Sequence, residues 1–193
     1  ADALDARTAF RLASVSKQFT AAAVLTLVEE GRLSLNDRLK ALLPELPDYT
    51  DGITVRHLLT HTSGLPDYEE LMDVEAAAGG ITYTPTRQID DASVIGLLAR
   101  SRTPRFAPGT RWAYSNSGYV VLGVIVARVS GESFERFLAA KVFEPNGLRA
   151  TRLRVPGHGA IARRAYGHAG APGAWQRSDQ SSTSATGGDG GVY

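Results

Sequence analysis

From Phe19 to Val28 the chain is apolar on nearly every helical face, with Thr20 and Thr26 the only polar interruptions. A helix that is hydrophobic all round is a buried helix, so the rest of the chain must fold around it. Yet its opening turn is polar. Ser14 and Lys17 stand three positions apart and therefore share one helical face. An ammonium on a buried helix is costly unless it is paired or changes its protonation. The chain has three lysines (Lys17, Lys40, Lys141) against eighteen arginines. A lysine here points to an amine that must be able to lose its proton, which a guanidinium cannot do.

That pairing suits nucleophilic catalysis. A serine hydroxyl is a weak nucleophile until a nearby base takes its proton. A lysine becomes such a base when burial or a neighbouring cation favours its neutral form. The N-terminus of a helix also favours developing negative charge. The plainer alternative is an N-cap at Ser14 and a lysine that snorkels to water. Ser16 lies next to Lys17 but about 100° round the helix, so it is not expected to replace Ser14.

Composition narrows the classes. With 193 residues, 43% hydrophobic and 21% charged, this is an ordinary soluble composition. A net charge of +1 gives no case for nucleic acid. The absence of cysteine excludes disulfides, thiol nucleophiles and thiolate metal sites. No apolar run approaches the roughly 18 residues of a membrane span, and no signal-peptide pattern is visible. The four histidines (His57, His61, His158, His168) lack metal-ligand spacing, so no metal and no cofactor is expected.

In chain order, the pattern predicts about seven helices and few strands. The first runs from about Ser14 to Glu30 and stops at Gly31. A short one spans Arg38 to Leu43, capped by Asn36 or Asp37 and ended by Pro44. Others cover Val55 to Thr62 behind Thr54, Tyr68 to Ala78, and Ala92 to Arg100 capped by Asp90 or Asp91. Asn116 to Val129 reads as a second largely apolar helix ended by Gly131, and Ser133 to Val142 is amphipathic. Arg152 to Val155 is the best strand candidate. Ala169 to Gly191, rich in Gly, Ser, Thr and Ala, reads as loop or flexible segment.

A second polar constellation is Tyr114-Ser115-Asn116-Ser117-Gly118-Tyr119. A phenol can relay a proton, and an amide can bond both a lysine and a substrate carbonyl. Taken alone, the segment reads better as a helix start, with Ser115 or Asn116 capping and Tyr114 packing.

Taken together, Ser-x-x-Lys before one apolar helix and Tyr-x-Asn before another resemble the serine β-lactamase and penicillin-binding protein superfamily. The wording is most similar to the branch of class C β-lactamases, D-alanyl-D-alanine carboxypeptidases and related esterases. Phe10-Arg11-Leu12-Ala13-Ser14-Val15-Ser16-Lys17, Leu58-Leu59-Thr60-His61-Thr62-Ser63-Gly64-Leu65, Phe106-Ala107-Pro108-Gly109 and Tyr114-Ser115-Asn116 look like phrases of that branch, in its order. Phe143 to Leu148 resembles another, with Asn146 where leucine is usual. The likeness covers about Phe10 to Leu153, and weakly Gly187-Gly188.

The resemblance implies an α+β fold of β-lactamase/transpeptidase type, here mainly helical and truncated at both ends. Residues 1–168 would form an incomplete catalytic domain, and residues 169–193 a Gly/Ser-rich loop leading toward C-terminal strands. It implies Ser14 as the acylated nucleophile, Lys17 as its proton acceptor or the group that tunes it, Tyr114 as partner base or leaving-group donor, and Asn116 as the contact to the substrate carbonyl and to the lysine. The Ser14 N–H would be half of an oxyanion hole. His61 is read as structural, and Trp112 and Tyr119 as core. The family's third motif, Lys-Thr-Gly or His-x-Gly on a late strand, is not found: His168-Ala169-Gly170 matches in letters but sits too early.

The leading expectation is therefore a serine hydrolase acting on a β-lactam, a D-Ala-D-Ala peptide or a small ester. The alternative is an inactive homologue that binds peptidoglycan or a partner. A helical region without its sheet would expose an apolar face, so a second chain or segment is expected to complete it. The basic cluster Arg149, Arg152, Arg154, Arg163 and Arg164 is read as a solvated face and not a nucleic-acid site. The resemblance implies a periplasmic or secreted setting.

Overall fold

The computed structural model describes residues 3–179 and 183–193. A 3-10 turn, Ala13–Ser16, leads directly into helix α1, Lys17–Glu29. Ala13 takes a left-handed φ of 47°, which costs a residue with a Cβ about 1–2 kcal/mol. Gly31, with φ 68°, ends the helix as its position predicts.

The seven expected helices form, several of them shorter than expected. They are α1, α2 (Leu39–Leu42), α3 (Val55–Leu59), α4 (Tyr68–Ala77), α5 (Asp91–Arg100), α6 (Asn116–Ser130) and α7 (Phe134–Leu138). Side chains close N-termini at the expected Thr54, Asp90 and Ser115, and also at Asp67 and Ser133, for which no cap was named. The Thr54, Asp90, Ser115 and Ser133 oxygens accept from the N–H groups of His57, Ser93, Gly118 and Arg136. Helix α2 departs from expectation. The Asp37 carboxylate accepts from Ser34 N–H instead, closing the preceding turn, and α2 has no side-chain cap.

The centre of the fold is α6, not α1. Val120, Val121, Leu122, Ile125 and Val126 are completely buried there. Helices α1, α3, α5 and α7 pack around it. Helix α1 buries Lys17, Thr20, Ala23, Val24 and Leu27 but leaves Leu25 49% exposed, and Val15 in the turn before it is 55% exposed. The expected all-round burial therefore holds on one face only. The described residues supply no layer over the other. After α7 the chain does not continue as an α-helix: Ala139–Phe143 forms a π turn. This turn buries Val142 and Phe143, and the Phe143 ring meets Phe19 of α1 edge-on at 5.3 Å.

Strand structure is slight. β1 (His168–Ala169) and β2 (Gln176–Arg177) form an exposed antiparallel pair. The expected strand at Arg152–Val155 is reduced to a bridge between Leu153 and Val192, framed by bonds from Arg152 to Tyr193 and from Arg154 to Gly191. Three residues of pairing with a glycine-rich partner are too few for a ladder. No described helix is long and apolar enough to cross a membrane.

The tail is the largest departure. Residues 169–178 are exposed, but Thr186 to Tyr193 is buried. It threads along α1 and α6. Leu12 N–H donates to Val192 O at 2.9 Å, Val192 N–H to Ser16 Oγ at 3.1 Å, and Thr20 Oγ1 to Gly188 O at 2.6 Å. A Cβ at Gly188 would stand 2.1 Å from Tyr119 O of α6. Glycine density here reflects close backbone packing between helices and not flexibility.

Candidate active site

Local sequence brings two distant turns together. The 3-10 turn presents Ser14 to solvent and directs Lys17 inward, where it is 7% exposed. The extended residues before α6 carry Tyr114, 42% exposed, and Ser115 then caps the helix so that Asn116 opens its first turn. Tyr114 OH donates to Ser14 Oγ at 2.7 Å. Lys17 Nζ donates to Ser14 Oγ at 3.3 Å, to Asn116 Oδ1 at 2.9 Å and to Asp189 O at 2.8 Å. Tyr114 and Lys17 thus converge on the exposed Ser14 hydroxyl, and Asn116 joins them through Lys17.

Three acceptors match the three N–H donors of an ammonium. The cation also lies 4.9 Å from the centroid of the Tyr114 ring and 5.7 Å from that of Tyr119, within cation–π range. A neutral amine would keep two of these bonds, to Asn116 and Asp189. Its lone pair would then face the serine.

The surrounding residues hold this geometry. Asp67 is buried and caps α4 through Glu69 N–H, while its other oxygen accepts from Asn116 N–H at 2.8 Å. Asp189, whose carbonyl faces Lys17, has its carboxylate fixed by Tyr68 OH at 2.9 Å and by Thr186 Oγ1 at 2.6 Å. Burial, and then the Asp189 charge, push the Tyr68 phenol well above its ordinary range, so it stays a donor. Asp91 accepts from Gly187 N–H at 2.9 Å and anchors the start of the same segment.

Asp67, Tyr68 and Asp189 were not legible as site residues. The available signal was the run Gly187-Gly188-Asp189-Gly190-Gly191, one acid among four glycines. Ser16 is fully buried and accepts from Val192 N–H, so it is unavailable as a nucleophile. Tyr119 is buried, with its hydroxyl on Leu59 O at 3.0 Å, as a core residue should be. Trp112 is not core: it is 67% exposed, because it sits on the extended segment before α6 and not within the helix. His168 belongs to the exposed β1–β2 pair.

A groove of about 700 Å³ adjoins the nucleophile turn at Ala13, lined by Phe10, Arg11, Arg164, Tyr166 and His168 among others. Among the described residues no group of three or more His, Cys, Asp or Glu side chains is placed to hold a metal ion. The open Ser14 and its two neighbouring proton-carrying groups suit acyl transfer without one.

Known proteins resemble this chain in sequence and in fold. The chain is 38% identical over 144 residues to penicillin-binding protein 4* of Bacillus subtilis, an alignment covering 75% of this chain and 30% of that protein. It is 40% identical over 149 residues to the esterase EstB of Burkholderia gladioli, covering 74% of this chain and 38% of that one. The structure superposes on a penicillin-binding protein from Bacillus halodurans with a TM-score of 0.78 and 32% identity, over 97% of this chain and 55% of that one. The chain thus spans about a third of these curated relatives and about half of the solved structure. Its fold is the α+β β-lactamase/transpeptidase type, here mainly helical with one small antiparallel pair. The beta-lactamase family model matches residues 2–193, and on that match the chain belongs to the beta-lactamase family.

Proposed function

We propose that this chain carries the nucleophile of a serine hydrolase that works through an acyl-enzyme at Ser14. The supporting observation is the pair of contacts on one exposed oxygen: Tyr114 OH at 2.7 Å and Lys17 Nζ at 3.3 Å from Ser14 Oγ. The family as a whole is one of hydrolases, and its relatives include penicillin-binding proteins, an esterase, a beta-lactamase and D-aminopeptidases. The substrate class we assign is a carbonyl compound with an amine or alcohol leaving group: a β-lactam, a D-Ala-D-Ala peptide or a small ester.

In the proposed reaction the neutral Lys17 amine, with Tyr114 beside it, takes the Ser14 proton as Oγ bonds to the substrate carbonyl carbon. The carbonyl π pair moves to oxygen, facing the Ser14 N–H at the helix start. Collapse re-forms the carbonyl and breaks the bond to the leaving amine or alkoxide, which takes its proton from Tyr114. Tyr114 is reprotonated from Lys17. Water then repeats the sequence in reverse and frees Ser14 and the acid. Asn116, with Oδ1 engaged by Lys17, has its NH₂ left to steer the substrate carbonyl.

Intact mass spectrometry after treating the complete polypeptide with a fluorophosphonate or penicillin tests this. The expected result is one adduct, mapped to Ser14 and lost in Ser14→Ala. A label on another residue, or no label, overturns the reading.

A further inference from the structure

His61 does more than end a helix. It follows α3 with a left-handed φ of 58°, unusual for a residue with a side chain. That turn lets it grip the segment on both sides of Tyr114. Its main-chain oxygen accepts from Ala113 N–H at 2.9 Å, and its Nδ1 accepts from Ser115 N–H at 3.2 Å. Its ring lies against the Tyr114 ring, with centroids 4.7 Å apart and planes 28° from parallel. Tyr119 backs the imidazole at 5.1 Å, and Trp112 meets it edge-on at 6.1 Å. The phenol that touches Ser14 is thus held by its backbone before and after, and by its face.

We infer that His61, as a neutral imidazole, is a positioning residue that holds the Tyr114 hydroxyl on Ser14 Oγ. The inference rests on the hydrolase reading above. The chemistry requires the neutral ring, because only an unprotonated Nδ1 can accept from Ser115 N–H. The groups facing His61 favour that state. From α1 comes Lys17, whose Nζ lies over the Tyr114 ring, from α6 the Tyr119 ring, and from the segment before α6 Tyr114 and Trp112. The nearby carboxylate of Asp67 is engaged by the Glu69 and Asn116 N–H groups. Burial first, and then the Lys17 charge, hold the His61 imidazole below its ordinary value. Protonation would break the Ser115 bond and put a second cation beside Lys17. The phenol would then lose its brace.

Two variants separate this role from general folding. His61→Asn puts Oδ1 near the place of Nδ1, tolerates a positive φ and does not titrate. His61→Ala removes both acceptor and ring. The rate of Ser14 labelling by a fluorophosphonate is followed from acid to alkaline pH. The Ser115 amide is followed in parallel by proton–nitrogen correlation NMR. The wild type is expected to lose labelling on the acid side, with the Ser115 amide shifting at the same midpoint. His61→Ala should label about 10²-fold more slowly, the scale of a 1 Å misplacement. His61→Asn should recover part of that rate and lack the His61 acid limb.

An unchanged rate and pH profile in His61→Ala overturns the inference, as does a Ser115 amide that ignores the His61 titration. If His61→Ala does not fold, an unchanged acid limb in His61→Asn has the same force. A wild type that never labels overturns the hydrolase reading and, with it, the catalytic purpose of the brace. The amide titration then still reports whether His61 grips Ser115.

Discussion

The main-chain oxygen of Asp189 accepts from Lys17 Nζ at 2.8 Å, across 172 positions of sequence. This carbonyl is held because the Asp189 carboxylate is itself fixed, by Tyr68 from α4 and by Thr186. Tyr68→Phe removes one donor from that buried carboxylate while keeping the ring. The expected loss is about 1–3 kcal/mol of stability, measured by urea unfolding. Ser14 labelling should slow as well, since the Lys17 acceptor is freed to move. A variant that unfolds and labels like the wild type would show that Tyr68 only packs.

Gly188 lies where α6 passes closest. A Cβ there would meet Tyr119 O at 2.1 Å, so backbone must move to admit even alanine. Gly188→Ala should cost about 1–3 kcal/mol, the usual range for overpacking. It should also disturb the Thr20–Gly188 bond on α1. Differential scanning calorimetry of the variant checks this, and an unchanged melting temperature would contradict it.

Asp91 gives a prediction with pH. Burial raises its carboxyl to about 7, opposed by the Gly187 N–H bond and reinforced by the charges of Asp189 and Asp90. A carboxyl raised on folding contributes its stability fully at low pH. That contribution is lost as pH rises from the ordinary range near 4 through about 7. Asp91→Asn keeps an oxygen for Gly187 N–H but cannot ionise. Its stability relative to the wild type should therefore grow between pH 4 and pH 8, by up to about 4 kcal/mol. Urea midpoints of both proteins across that range provide the measurement. A constant difference would refute it.

Lys17 and Tyr114 should part company in stability but not in chemistry. Tyr114 is 42% exposed, so Tyr114→Phe should leave stability within about 0.5 kcal/mol of the wild type. Lys17→Met leaves Asn116 Oδ1 and Asp189 O without their donor, and should cost about 1–3 kcal/mol. Both should slow Ser14 labelling by about 10²–10⁴-fold, the range for a lost proton-transfer group. Stopped-time labelling beside thermal melts distinguishes the two effects.

Most helices were legible from a local signal, a capping side chain before, a glycine or proline after, or apolar residues at helical spacing between, although α1 and α2 have no side-chain cap. Four side-chain caps formed where Thr54, Asp90, Ser115 and Ser133 stand. Ser14, Lys17, Tyr114 and Asn116 were legible as two short motifs, and the structure brings them within hydrogen-bonding distance of one another. What escaped was non-local. Trp112 looked like core by its chemistry, but its exposure is set by which side of an extended segment it occupies. Helix α1 looked buried all round, but burial depends on what else packs there, and Leu25 remains open. The glycine-rich tail looked loose because composition alone does not distinguish a flexible linker from backbone pressed between two helices. Asp67 and His61 act through main-chain N–H groups of Ser115 and Asn116, and no side-chain motif encodes such a contact.

The dependence of Lys17 on Asp189 also sets a timetable. During synthesis, residues 14, 17, 114 and 116 all emerge before the stretch that begins at Thr186. Until that stretch arrives, the amine lacks its carbonyl partner and Thr20 lacks Gly188. A nascent chain can therefore fold much of its helical body while its reactive serine is still incompletely framed. On the proposed function, the framing of Ser14 is completed late in biogenesis, when Gly187 to Gly191, one acid among four glycines, docks.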